Sequence, residues 1–263
     1  MSSHLDVLGT TGLAIVSLMV AVWLLSLVLG NASIVDIAWG FGFVVVAAVS
    51  AIVGDGNDER STLLVVLVGI WGLRLSGYLL WRNWGEPEDF RYQSMRRRQG
   101  PKFPIKSLLT VFALQGAVMF IVSLPVQLAM TPTTPDLGVL AAIGVLLWAV
   151  GLFFETVGDV QLARFKAQPD NAGKVLQQGL WRFTRHPNYF GDFCVWWGIW
   201  LVTAESGDAA WAVIGPVLMS VMLLRVSGVP MLERSLTKRR PDYVDYITRT
   251  SAFFPRRPRS TTH

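Results

Sequence analysis

The chain has 263 residues, of which 52% are hydrophobic and 16% charged, and its net charge is +5. A soluble domain carries roughly 25% charged residues, so this composition, with a mean hydropathy of +0.45, excludes an ordinary water-facing surface and points to a bilayer. One cysteine, Cys194, excludes an intramolecular disulfide, and the three scattered histidines His4, His186 and His263 offer no Cys/His metal cluster.

The polar residues are gathered into short blocks between apolar stretches, and a helix needs about 20 apolar residues to span. In chain order the stretches predict an all-α, polytopic fold of about seven transmembrane helices, over 9–29, 34–54, 61–81, 107–130, 137–157, 190–204 and 209–229. The first has no basic region before it and no cleavage site after a short apolar core, so it reads as a spanning helix rather than a secretory signal. The sixth is short, and its Trp196, Trp197 and Trp200 suit an interface or a cofactor cleft. The links at 30–33 and 205–208 are short enough to make their neighbours antiparallel.

Loop charge predicts the orientation. Arg82, Arg91, Arg96, Arg97, Arg98, Lys102 and Lys106 fall in one loop, Arg164, Lys166, Lys174, Arg182 and Arg185 in a second, and Arg234, Lys238, Arg239, Arg240, Arg249, Arg256, Arg257 and Arg259 in the tail. The alternate links hold Asp55, Asp58, Glu59, Asp136, Glu205 and Asp208 with one cation, Arg60. The positive-inside rule then puts the N-terminus outside and the C-terminus in the cytoplasm, of a bacterial inner membrane or, in a eukaryote, of the endoplasmic reticulum. The same bias accounts for a pI near 9.7, and nothing interleaves basic and aromatic residues as a nucleic-acid surface would. The chain reads as a single membrane domain, 1–263, with substrate-side helices in 1–130 and cofactor-binding helices, loop and tail in 131–263.

Polar groups inside spans cost free energy in lipid and are functional candidates. Asp36 lies in the second span, and Arg74 and Tyr78, four residues apart on one helix face, lie in the third. A structural Asp36–Arg74 ion pair is the alternative reading. Gln115 in the fourth span fits interhelical hydrogen bonding, and Gly40-Phe41-Gly42 fits close helix packing. Glu155 and Asp159 share a face at the end of the fifth.

The densest constellation is 159–192, DVQLARFKAQPDNAGKVLQQGLWRFTRHPNYFGD. Its cations Arg164, Lys166, Lys174, Arg182 and Arg185 suit phosphates, and Asn188, Tyr189 and Asp192 stand where the backbone enters the membrane. A solvated basic loop is the alternative. In the tail, Tyr243 and Tyr246 are one helical turn apart, as a pocket wall or as an interfacial aromatic belt. No Walker A loop, HExxH, GxSxG or strand-borne GxGxxG occurs, so any nucleotide would be held by membrane helices and their loops.

GLWRFTRHPNYFGD followed by DYVDYITRTSAFFP resembles the C-terminal half of the steroid 5α-reductase family, over about residues 145–256. The wider superfamily takes in sterol reductases and the isoprenylcysteine carboxyl methyltransferases, which carry a related RHPxY element and bind S-adenosylmethionine. The resemblance implies NADPH as cofactor, contacted by Asp159, Lys166, Lys174, Arg185, His186, Asn188, Tyr189, Asp192 and Tyr246, and the loop cation Arg164 and tail Tyr243 join them as candidate contacts. By spacing to Arg74 and Tyr78, the family's third-span tyrosine falls on Trp71, and the nearest second-span acid is Asp36. VDIAWGFGF and RNWGEPEDFRYQSMR look like a bacterial subgroup whose substrates are poorly defined. The expectation is an NADPH-dependent reductase of a lipophilic enone, with Tyr78, Asp36 and Arg74 as the acid side and Tyr78 as proton donor. The alternatives are an S-adenosylmethionine-dependent lipid or isoprenoid methyltransferase and a non-enzymatic lipid-binding scaffold.

Overall fold

A computed structural model of the chain describes residues 3–55, 58–131, 136–240 and 242–259. Of the residues named above, His263 and the side chains of Asp58, Asp208 and Arg239 lie outside the described set. Among the described residues the chain is helical and has no strand. Helix α1 is His4–Leu29, α2 Ile34–Val53, α3 Asp58–Asn83, α4 Phe90–Gln99, α5 Phe103–Ser107, α6 Leu114–Val122 and α7 Leu124–Leu128. Helix α8 is Val139–Lys166, α9 Pro187–Thr203, α10 Ile214–Val221, α11 Val229–Arg239 and α12 Asp242–Arg249.

Six stretches are long and apolar enough to cross a membrane: His4–Leu29, Ile34–Val53, Glu59–Asn83, Phe90–Val122, Val139–Lys166 and Ala209–Lys238. The protein is therefore an integral, multi-pass membrane protein. The expected sixth crossing is α9, a helix of 17 residues. At 1.5 Å per residue it extends about 26 Å, a few ångströms short of a hydrocarbon core of about 30 Å.

The chain divides into two compact units, 1–141 with 202–215, and 142–201 with 216–263. In the first unit α1 starts from a capping box, in which Ser3 N–H donates to the Asp6 carboxylate at 2.8 Å and Ser3 Oγ accepts from Asp6 N–H. It ends at Gly30, whose φ of +64° only glycine adopts freely. Helices α2 and α3 touch backbone to backbone at Gly40 and Gly72, and Ser76 Oγ donates to Ile37 O at 2.7 Å across the same contact. Small residues let helices approach in lipid, where the solvent gives little apolar driving force. A fully buried Arg60 donates to the carbonyls of Val202 and Asp136 and to Glu205, whose carboxylate also accepts from the Gly138 and Leu140 N–H groups at 2.9 Å each. The only cation among the acidic links is thus the bolt that ties three of them together.

In the second unit α8 and α9 pack through glycines spaced seven apart. Gly144 faces Gly198, Gly151 faces Gly191, and Gly158 faces Pro187. A Cβ on Gly191 would stand 2.5 Å from the Gly151 carbonyl oxygen, and one on Gly198 would stand 2.6 Å from that of Gly144. The heptad spacing keeps one narrow seam between the two helices along α9. Gly191→Ala would force this seam apart, whereas Gly69 has nothing within 4 Å of its Cβ position. The expected outcome is a loss of about 1–3 kcal/mol for Gly191→Ala and little change for Gly69→Ala, read from thermal unfolding of the purified protein.

Candidate functional site

The site of the second unit is built by docking the tail onto the segment before α9. After α8 the chain reverses at Gly173 and Gly179, with φ of +79° and +58°. Trp181 is then fixed by its indole N–H, which donates to the Gly158 carbonyl at 3.1 Å. Further anchors between Trp181 and Arg185 lead to the tail. Tyr246 Oη donates to the Trp181 carbonyl, and Thr184 Oγ1 donates to Phe253 O at 2.8 Å. Arg185 N–H donates to Ser251 O at 2.9 Å, and Arg256 N–H donates to Phe183 O at 2.9 Å. Phe253 and Phe254 close the seal edge-on against Phe190 and Phe193 of α9.

One carboxylate organises the centre. Arg185, 7% exposed, donates through Nε to Glu233 Oε1 at 2.7 Å and through Nη1 to the carbonyls of Ile247 and Thr250. His186, 1% exposed, places Nε2 3.2 Å from the same Glu233 oxygen. Burial pushes the His186 pKa below its ordinary value, and the Glu233 interaction only partly restores it. The ring is therefore neutral near pH 7, and a carboxylate partner sets its proton on Nε2. Nδ1 is left as a bare acceptor, buried and without a partner among the described residues. The Tyr243 hydroxyl is also buried; Arg185 approaches it as a donor, and among the described residues its own proton has no acceptor. Burial and the nearby Glu233 charge raise its pKa although Arg185 opposes them, so it remains a donor.

Both orphaned atoms belong to side chains that line a cavity of about 470 Å³. Small-molecule sites run from roughly 300 to 1,000 Å³. The cavity wall carries the cations Lys166, Lys174, Arg185 and Arg240, and the apolar Leu162, Phe165, Leu176, Trp181, Leu232 and Leu236. No carboxylate is among its lining residues.

Of the residues expected to contact a cofactor, Lys166, Lys174, Arg185, His186, Tyr243 and Tyr246 line this cavity, and Asp159, Arg164, Asn188, Tyr189 and Asp192 do not. Tyr189 stacks on the back of the His186 ring at 5.3 Å and 8°. Asn188 reaches Asp159 at 3.5 Å, a weak contact, and its Oδ1 accepts from Tyr189 N–H at 3.1 Å. Arg164 is exposed at the end of α8. Glu233, Arg240 and Trp181 were not singled out from the sequence. The only trace of Glu233 there is an acid in the otherwise cationic stretch 230–240.

The first unit holds a second polar cluster. Asp36 accepts from Arg91 Nη2 at 2.6 Å and from Tyr92 Oη at 2.7 Å, and Gln115 Nε2 donates to Tyr92 Oη at 3.2 Å. Tyr92 is 5% exposed. Asp36 is therefore engaged by a tyrosine from α4 that sequence reasoning missed. The spacing argument looked within the third span, and Tyr92 belongs to the basic loop that follows it. Tyr78 lies instead under the Arg82 guanidinium, 5.6 Å from its ring centre. Trp71 is fully buried with its ring edge-on to Phe43 at 5.5 Å, so the position where a third-span tyrosine was sought is core.

A family model described as "Protein of unknown function (DUF1295)" matches residues 22–250, and the chain belongs to that family, a steroid 5α-reductase-like group. A stretch of 55 residues is 42% identical to a probable O-methyltransferase, ustE, of Ustilaginoidea virens, covering 21% of this chain and 19% of that protein. The match thus spans about a fifth of the relative's length. No solved structure matches.

Two outcomes follow from the buried triad. Glu233→Gln leaves the Arg185 charge without its counterion and is expected to cost about 3–5 kcal/mol, seen as a lower thermal midpoint. Because the folded His186 pKa lies below 6.5 and the unfolded one near it, acid adds a proton to the unfolded chain first. Stability should therefore fall as pH drops below about 6.5, and the fall should flatten in His186→Gln, read from thermal midpoints across pH 5–8.

Proposed function

We propose that this membrane protein is an NADPH-dependent reductase of a carbon–carbon double bond in a lipophilic enone, such as a steroid-like or isoprenoid compound. The observation that carries this reading is the charge of the cavity: Lys166, Lys174 and Arg240 line it beside the Glu233-paired Arg185, and no carboxylate is among its described lining residues. NADPH is a polyanion, whereas S-adenosylmethionine is a net cation at neutral pH. A carboxylate-free wall favours the first and repels the second. Lys166, Lys174 and Arg240 would hold phosphates, while Arg185 stays paired with Glu233. The two orphaned atoms fit the same ligand. His186 Nδ1 needs a donor, such as a carboxamide or amino N–H, and Tyr243 Oη needs an acceptor. Trp181, Leu162 and Leu232 offer apolar wall to a ring face.

When bound, NADPH supplies a hydride, so the protein itself must supply a proton and polarise the carbonyl. Tyr92 is the group equipped for this. Its hydroxyl, shielded from water, accepts from Gln115 and donates to Asp36, and in the proposed step its proton would turn from Asp36 to the substrate. Asp36 is paired with Arg91 and accepts the hydrogen bond from Tyr92. Arg74 and Tyr78 remain proposed members of the substrate side, with Tyr92 taking the proton-donor role first assigned to Tyr78.

The methyltransferase reading is kept by the partial likeness to the Ustilaginoidea virens protein. Purified protein in detergent, heated with NADPH, NADH and S-adenosylmethionine in parallel, separates the two. The expected result is stabilisation by NADPH above NADH, reduced in Lys174→Ala and Arg240→Ala. Stabilisation by S-adenosylmethionine alone would overturn the proposal. With a panel of steroid and isoprenoid enones, Tyr92→Phe should keep the NADPH stabilisation and lose roughly 100-fold or more in NADPH oxidation rate.

A further inference from the structure

Helix α11 has two working faces. Leu232, Leu236 and Arg240, beyond its end, line the cavity described above, and Glu233 holds Arg185 and His186. The opposite stripe, Met231, Arg234, Ser235 and Lys238, has the i, i+3, i+4, i+7 spacing of one helical face. It forms one wall of a separate, open groove of about 350 Å³, whose other wall is Arg225, Val226 and Pro230.

The groove is made by a break in the helix. Residues Met222–Val226 form a π-helical turn, after which Ser227 N–H and Gly228 N–H both turn back to the Met222 carbonyl at 2.9 and 3.1 Å. The extra residue in that turn swings Arg225 and Val226 out beside α11. Arg225, Arg234 and Lys238 are all exposed and have no ion-pair or hydrogen-bond partner among the described residues. No acid lines the groove. Between the cations stand exposed apolar side chains, Val226 at 53% and Met231 at 39%. The whole groove falls in the terminal part of a stretch, Ala209–Lys238, that is long and apolar enough to cross a bilayer.

We infer that this groove is a binding site for an anionic phospholipid. Three uncompensated cations converge on one opening, which costs repulsion unless an anion sits between them. A phosphodiester answers the charge, and an acyl chain covers Val226 and Met231. Water-soluble anions answer only the first. Basic side chains at a membrane boundary each add to attraction for anionic headgroups. A lipid seated here would brace α11, whose other face carries Glu233 and the cavity wall. The inference does not depend on whether the cavity takes NADPH.

Native mass spectrometry of the full-length protein, released from micelles holding equal phosphatidylglycerol and phosphatidylcholine, tests it. The wild type should retain one phosphatidylglycerol in preference to phosphatidylcholine. Apparent affinity should drop roughly tenfold or more in Arg234→Gln/Lys238→Gln and stay unchanged in the control Arg97→Gln/Arg98→Gln on α4. Arg225→Gln alone should weaken retention as well, and it judges the proposal should the double variant fail to fold. Equal retention of the two lipids, or retention unaffected by these variants, would overturn it. So would displacement of the lipid by millimolar inorganic phosphate, which would mark a free-anion site, or tighter binding of a poly-glutamate peptide.

Discussion

The second unit depends on one carboxylate. Glu233 satisfies the guanidinium of Arg185 and fixes the tautomer of His186 with the same oxygen. Arg185 can then spend its remaining N–H groups on the carbonyls of Ile247 and Thr250, which docks the tail. Without Glu233 the buried guanidinium would be uncompensated, a cost of about 3–5 kcal/mol. The RHPNY segment thus acts partly as a clasp. Arg185 faces away from any ligand for most of its bonds, and Tyr189 supports the ring of His186 from behind.

That clasp explains why the cavity presents unusual chemistry. A neutral, Nε2-protonated histidine leaves Nδ1 as an acceptor, and a buried tyrosine keeps its proton. Both remain unsatisfied inside the protein, a state that ordinarily costs about 1–3 kcal/mol per group. Proteins tolerate such groups where a ligand supplies the missing partner. Around them, cations come from three places: the end of α8, the loop after it, and the residue just beyond α11. The electrostatic character of the site is therefore a property of the assembled tail and loop.

The first unit manages its buried charges by the same rule with different parts. Arg60 is fully buried and is repaid by Glu205 and two carbonyls, and Asp36 is repaid by Arg91 and Tyr92. Glu88 accepts from Ala32 N–H and from Arg96, which ties the start of α4 to the link between α1 and α2. Each carboxylate thereby turns a loop into a fixed wall, which is how a chain with few polar residues positions the ones it has.

The sequence by itself determined the class of molecule. Apolar stretches of about 20 residues between charged blocks leave helices as the available spanning structure, because backbone N–H and C=O groups in lipid must pair within the segment. Six of the expected crossings have helices of sufficient length, and α9, the one already short in sequence, is 17 residues. Local chemistry also gave Lys166, Lys174, His186 and Tyr243 as residues of interest, since their types are unusual next to apolar spans. Tertiary structure alone decided which partners these residues meet. Glu233 and Arg185 are 48 positions apart, and Asp36 and Tyr92 are 56 apart. No periodicity or spacing rule reaches across such separations. An ion pair is set by which segments of the chain pack together, and that packing is decided by contacts across the whole unit.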